Sequence, residues 1–141
     1  MPGQVLISLK EKIKYEWILA FFSTVIIGLL AHVYVFLNRL PNHDGIINIY
    51  NTQAKVKSGR FFLGPASGMS TFFDLPWVIG VLSIIFLALA AVCTVILFNI
   101  RKKISIVLVS GIIVVFPSVS ATFSYMFTAD GYMLGIFFAI L

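Results

Sequence analysis

Residues 17–37, WILAFFSTVIIGLLAHVYVFL, form an apolar run without a single charged side chain. A helix that crosses a bilayer needs roughly 20 apolar residues, so this run predicts a transmembrane helix. Residues 77–98, WVIGVLSIIFLALAAVCTVILF, repeat the pattern. A removable signal peptide has an apolar region of only about 7 to 15 residues, which favours retention of the first run. Together the two runs indicate an integral membrane protein.

The composition extends this conclusion to the whole chain. Of its 141 residues, 60% are hydrophobic and 11% are charged, with a mean hydropathy of +1.06. Soluble domains carry about 25% charged residues, so lipid is expected to solvate most of this chain. The formal net charge is +5, but the basic residues flank the apolar runs, which membrane topology explains. The sequence has no phosphate-binding loop or basic recognition helix, so no nucleic-acid partner is predicted.

The cysteine and histidine counts narrow the chemistry further. The single cysteine, Cys93, excludes an intrachain disulfide. With two histidines and no second cysteine, the chain does not offer a structural zinc set. No cofactor is predicted, and the sequence leaves a divalent cation open.

Two further apolar runs follow the second span. Residues 104–127 form the third, which Pro117 divides because proline removes a backbone donor and kinks a helix. Its second half carries hydroxyls that either satisfy the kinked helix or form a polar wall of a substrate cavity: Ser118, Ser120, Thr122 and Ser124. A short turn is expected at 128–131, and residues 132–141 then begin a fourth run of about half a bilayer.

The predicted fold is therefore all-α, a polytopic transmembrane helical bundle with three full spans and a partial fourth. Residues 1–141 are expected to form a single transmembrane domain. Because the fourth run stops within the expected membrane, we expect the chain to be the N-terminal portion of a longer protein.

Basic clusters predict the orientation of this bundle. Lys10, Lys12 and Lys14 precede the first span, and residues 101–103 (Arg-Lys-Lys) follow the second. Lysine and arginine next to the ends of spans mark the cytoplasmic side. We therefore expect a multi-pass protein of the cytoplasmic membrane whose N-terminus is cytoplasmic. Residues 39–76 and Asp130 then belong to the extracytoplasmic face.

The outer loop at 39–76 contains the candidate catalytic carboxylate. Pro41 and Gly45 predict sharp turns on either side of His43 and Asp44. These turns place the Asp44 carboxylate where the first span leaves the membrane. The loop therefore offers an acid at the membrane surface.

The same loop also predicts an interfacial helix. The apolar and polar residues after Asp44 favour an amphipathic helix that lies in the plane of the membrane surface and ends near residues 58–59. Asp74, just before the second span, is interpreted as a helix cap.

Two features within the spans carry their own predictions. His32 is the only titratable group of the first span, and it either hydrogen-bonds within the bundle or at the interface, or lines a site. Ala88, Ala90 and Ala91 offer a face on which a neighbouring helix can pack closely.

An ordered set of short motifs connects these elements. They are Leu-Pro-Asn-His-Asp-Gly at 40–45, Ser-Gly-Arg-Phe at 58–61 and Phe-Thr-Ala-Asp at 127–130. Together with the basic N-terminus and the first span, the set resembles the N-terminal part of the bacterial Gtr-type glucosyltransferase-domain membrane proteins, which have the GT-C architecture. The resemblance covers almost the whole chain, although such proteins usually have many more spans.

This resemblance implies a glycosyltransferase that moves a hexose from a polyprenyl-phosphate donor to a cell-surface polysaccharide or glycolipid. In that architecture the first outer loop carries a catalytic carboxylate, and the next outer loop often carries a second acid. Asp44 and Asp130 match these positions, as a base and as an orienting or acceptor-binding acid. His43, Lys57 and Arg60 are assigned to substrate binding, with Arg60 on the phosphate.

Other interpretations stay open at this point. Asp44 also fits a helix cap, and Lys55 and Lys57 also fit contacts with anionic membrane lipid. The alternative function is a small noncatalytic membrane protein, such as a flippase-like accessory or an assembly subunit.

Overall fold

The computed structural model describes residues 13–38, 40, 46, 62–67 and 75–141. All of the regular structure in this part of the chain is helical, which confirms the predicted fold class. The elements are α1 (Tyr15–Leu37), α2 (Leu63–Ser67), α3 (Pro76–Leu97), α4 (Lys103–Val115), α5 (Pro117–Thr122), a 3₁₀ turn (Phe123–Tyr125) and α6 (Met126–Ile140).

Three helical stretches are long and apolar enough to cross a membrane. They are Tyr15–Leu37, Pro76–Leu97 and Lys103–Ile140, the last of which combines α4, α5, the 3₁₀ turn and α6. The first two coincide with the runs predicted at 17–37 and 77–98 to within two residues. The protein is therefore a helical membrane protein.

Local sequence explains where α3 begins and ends. Pro76 occupies its first turn, where a missing N–H leaves no hydrogen bond unmade. Its C-terminus closes with a Schellman motif, in which the N–H of Ile100 bonds the carbonyl of Val95 at 3.0 Å. Asn99 adopts the left-handed conformation that this motif requires, with φ of 49°. The chain then turns directly into α4.

One face of α1 organises the bundle. Its buried residues recur every fourth position: Ala20, Thr24, Gly28, His32 and Phe36. Small residues on this face let the backbones approach closely, as is usual between membrane helices. A Cβ atom added to Gly28 would lie 2.7 Å from a methyl group of Val114 in α4 and 3.2 Å from Ile84 in α3. Gly28 therefore sits where α1, α3 and α4 meet.

The small-residue face predicted on the second span is confirmed. Ala88, Ala90 and Ala91 of α3 are all fully buried. Helix α3 is the central element, since it packs against both α1 and α6.

The described basic residues that flank the spans lie at one end of the bundle. The ammonium group of Lys103 stands 5.3 Å from the centre of the Tyr15 ring, and Lys14 and Arg101 line the same cavity. We call this end, with Lys14 and residues 101–103, the basic end. The topology prediction requires such clustering, while the orientation of the bundle in the membrane stays a prediction.

The structure differs from the turn that the sequence predicts at 128–131. These residues lie inside α6, and the helix interruptions fall earlier, at Phe116 and Tyr125. Asp-Gly is a turn signal in water, but inside a membrane every backbone group must be paired, which favours an unbroken helix. The third and fourth apolar runs are therefore divided at 116–125 and not at 128–131.

Candidate active site

The site is built around a break in the third apolar run. Phe116 has an extended conformation, with φ of −55° and ψ of 138°, and Pro117 cannot donate a backbone hydrogen bond. The last carbonyls of α4 therefore lose their helical partners. Nε2 of His32 in α1 lies 2.9 Å from the carbonyl oxygen of Val114, to which it donates. A side chain from another helix thus satisfies one of the freed carbonyls.

This contact supports the first of the two interpretations of His32. The ring is buried, with 5% of its surface exposed, and its hydrogen bond lies within the bundle. A carbonyl only accepts hydrogen bonds, so Nε2 carries the proton in this contact. His32 is therefore a buried donor that holds the helix break.

The hydroxyls after the break bond to their own segment of chain. Ser120 Oγ donates to the carbonyl of Val115 at 3.5 Å, and Thr122 Oγ1 donates to the carbonyl of Ser118 at 2.7 Å. Both contacts are exposed. This arrangement supports hydroxyls that satisfy the interrupted helix.

An aromatic cluster connects the break to α6. The ring of Phe123 lies 4.6 Å from His32 and 5.2 Å from Phe36, the latter in a T-shaped arrangement. Phe36 in turn covers Gly80 of α3 so closely that a Cβ atom there would lie 2.4 Å from its ring. Such edge-to-face pairs add about 0.5–1.5 kcal/mol beyond their buried area. The cluster fixes the chain immediately before α6.

Asp130 is the buried acid of the described structure. It lies in the second turn of α6 with no exposed surface, and its Oδ1 accepts a hydrogen bond of 2.8 Å from the N–H of Gly131. The two preceding residues, Thr128 and Ala129, are also buried. Ionisable residues inside membrane bundles are expensive and mark functional sites by default. Asp130 is therefore a buried ionisable residue of the bundle and a candidate site residue.

An apolar groove lies beside this carboxylate. Helix α2 and α6 form its walls, and it has a volume of about 750 Å³. It is lined by Phe62, Leu63, Pro65, Ala66, Gly131, Tyr132, Leu134, Gly135 and Phe138. Gly131 belongs both to the groove lining and to the hydrogen bond of Asp130. The groove and the acid thus meet at Gly131.

The remaining predicted site residues, His43, Asp44, Lys57 and Arg60, lie outside the described residues, as do the predicted helix cap Asp74 and, apart from Ile46, the predicted interfacial helix. Their approach to Asp130 stays a prediction. Within the described ranges, no three His, Cys, Asp or Glu side chains are grouped so that they could hold a metal ion.

Sequence reasoning missed the residues that shape this region. Phe36, Gly80 and Phe123 looked like ordinary apolar or small residues of a span. One signal was available: the small residues Ala20, Thr24 and Gly28 recur at the four-residue spacing typical of close membrane helix packing. Continuing that spacing leads to His32 and then to Phe36.

Comparison with known protein families identifies a match. The family model described as Glucosyl transferase GtrII matches residues 33–141, which is more than half of the chain. No curated protein and no solved structure matches the chain. The matched range contains the helix break, the groove and Asp130. The chain belongs to the GtrII glucosyl transferase family, and by that membership it is a glycosyltransferase.

Proposed function

We propose that this protein transfers a hexose from a polyprenyl-phosphate donor to a polysaccharide or glycolipid at the outer face of the cytoplasmic membrane. The observation that carries the proposal is the fully buried carboxylate of Asp130, one residue from the lining of an apolar groove. The family match supports glucosyl transfer as the reaction class. A buried acid next to a groove favours this function over a noncatalytic accessory, because ionisable residues inside membrane bundles mark functional sites by default.

The groove supports a lipid-linked donor. Side chains such as Pro65, Leu134 and Phe138 give it an apolar lining. An isoprenoid chain gains free energy from apolar surface, whereas a nucleotide sugar gains little there. A donor anchored by an isoprenoid chain therefore fits this lining better than a soluble donor.

The proposed chemistry uses one base and one cationic clamp. Asp44 accepts the proton of the acceptor hydroxyl, whose oxygen then bonds to the anomeric carbon of the hexose. The bond between that carbon and the phosphate oxygen breaks, and the electron pair leaves with the polyprenyl phosphate. Arg60 and Lys57 stabilise the departing anion, and His43 contacts the substrate beside them. Asp130 binds or orients the acceptor.

The test measures hexose incorporation into the surface glycan of cells in which the protein's gene is replaced by variants. Asp44→Asn is expected to lower incorporation by about 100-fold or more, since a general base contributes about 10²–10⁴-fold. Asp130→Asn is expected to lower it by about 10-fold to 100-fold, because misplacement of a substrate by about 1 Å costs on that order. Mass spectrometry of the isolated glycan gives the readout.

Asp74→Asn is the matched control, because it removes an acid of the same loop that has no role in the proposed transfer. It is expected to leave incorporation unchanged at equal protein levels. Normal incorporation with both Asp44→Asn and Asp130→Asn would remove these residues from the mechanism.

The proposed orientation has its own test. A His43→Cys variant in a Cys93→Ser background is expected to react with a membrane-impermeant thiol reagent on intact cells. Reaction that occurs only after the membrane is broken open would place the loop on the cytoplasmic side and refute the proposed site.

A further inference from the structure

A second cavity lies at the basic end, away from the groove and from Asp130. It has a volume of about 440 Å³ and lies between the start of α1 and the end of α3. Its lining combines charged, aromatic and aliphatic side chains: Lys14, Tyr15, Glu16, Trp17, Val95, Ile96, Asn99, Ile100 and Arg101. Nothing in the proposed transfer reaction uses this cavity.

Positive charge dominates the cavity. Lys14 and Arg101 belong to its lining, Lys103 stands over the neighbouring Tyr15 ring, and Glu16 is the one acid among the lining residues. The Nε of Arg101 donates to Oδ1 of Asn99 at 3.2 Å, which anchors the guanidinium at the end of α3. An anion with oxygen acceptors therefore meets cations on two sides, since arginine and lysine are the usual phosphate binders.

The position of the cavity matches the headgroup level of a bilayer. It lies at the ends of two spanning helices, where Trp17 and Tyr15 provide the aromatic residues typical of the interface. The ammonium group of Lys14 lies 5.9 Å from the centre of the Trp17 ring, so the cation is held beside the cavity. Val95, Ile96 and Ile100 add an apolar wall on the other helix.

We propose that this cavity binds the phosphodiester headgroup of an anionic phospholipid. Lys14 and Arg101 contact the phosphate, and the aliphatic wall receives the glycerol and the first acyl carbons. A free phosphate ion gains nothing from an apolar wall, whereas a phospholipid uses both surfaces. Basic pockets between membrane helices are typical sites for anionic headgroups.

The test uses the full chain reconstituted in nanodiscs that contain equal amounts of phosphatidylglycerol and phosphatidylcholine. Native mass spectrometry after release measures the lipid that each variant retains. The double variant Lys14→Gln/Arg101→Gln is expected to weaken phosphatidylglycerol binding by about 30-fold, because each surface cation contributes about a factor of five. Phosphatidylcholine retention is expected to be unaffected.

Two further variants separate a defined site from general attraction. Lys102→Gln removes an exposed neighbouring cation that does not line the cavity, so it is expected to weaken binding by clearly less than the factor of about five expected for each cavity cation. Ile96→Trp keeps every charge and fills the cavity, so it is expected to reduce retention of phosphatidylglycerol.

Three outcomes would overturn the proposal. If the double variant and Lys102→Gln lost the same phosphatidylglycerol affinity for each charge removed, general electrostatic attraction would explain the binding without a defined site. Full retention by Ile96→Trp would show that the cavity is not the site. Displacement of the lipid by millimolar inorganic phosphate would identify a site for free anions.

Discussion

The two ends of the bundle differ in how they place ionisable side chains. At the basic end the lysine and arginine side chains are exposed, and the helices meet through the buried aliphatic residues Ala20, Val95 and Ile106. In the other half the helix is interrupted between Phe116 and Tyr125, and the ionisable side chains of His32 and Asp130 are buried. Backbone that leaves the helix inside a membrane must find partners within the protein. In the described structure, helix interruption and buried ionisable side chains therefore occur together, and the candidate site lies with them.

The largest expected effect on stability tests how tightly the interrupted half is packed. Gly80→Ala places a Cβ atom 2.4 Å from the ring of Phe36, which is itself held by Phe123. Overpacking of this kind costs about 1–3 kcal/mol. We expect the free energy of unfolding to fall by about 2–3 kcal/mol, measured by reversible unfolding in mixed micelles.

Gly135→Ala is the control for this substitution. It adds the same methyl group in α6, where no atom of the described residues outside the adjoining stretch of the helix lies within 4 Å of the new Cβ position. Its stability is expected to equal or slightly exceed that of the parent, since alanine favours a helix over glycine. Equal destabilisation by both variants would mean that helix α3 is not packed against Phe36 as described.

The next effect concerns the donor that holds the helix break. His32→Leu keeps a buried side chain of similar bulk but leaves the carbonyl of Val114 without its 2.9 Å partner. An unpaired buried acceptor costs about 1–3 kcal/mol, although hydrogen bonds between membrane helices average about 0.6 kcal/mol. We expect a loss of about 1 kcal/mol in the same unfolding measurement.

His32→Gln offers a donor at a similar reach and tests the cause of that loss. Recovery of part of the stability would assign the effect to the hydrogen bond. If leucine and glutamine behave alike, the packing of the ring against Phe123 is responsible instead, and the contact to Val114 does not stabilise the break.

The comparison also explains what the sequence could predict. The spans at 17–37 and 77–98 were located closely because each is a charge-free run with a basic residue, Lys14 or Arg101, a few positions beyond one end. Such signals depend only on composition and are independent of the partner helix. The break at Pro117 was likewise visible, because proline has a fixed backbone effect.

The interrupted half was predicted less well because its structure depends on partners from distant parts of the chain. Nothing local shows that His32 and Val114 pair across 82 positions. Asp130 and Gly131 gave a turn signal, but the membrane setting favours continued helix, and the expected turn was wrong. The role of Asp130 and its approach to the outer loop stay predictions.

The smallest expected effects compare two fully buried serines. Ser110 Oγ in α4 donates to the carbonyl of Ala20 at 3.2 Å, whereas Ser83 Oγ in α3 has no hydrogen-bond partner within the described structure. Ser110→Ala is expected to lose about 0.6 kcal/mol, since the Ala20 carbonyl keeps its bond from Thr24. Ser83→Ala removes an unsatisfied hydroxyl, so its stability is expected to be unchanged or to rise by about 1 kcal/mol. The two variants delete the same atom. If both lowered the free energy of unfolding, or both raised it, the hydrogen-bond assignment of one of the two serines would be wrong.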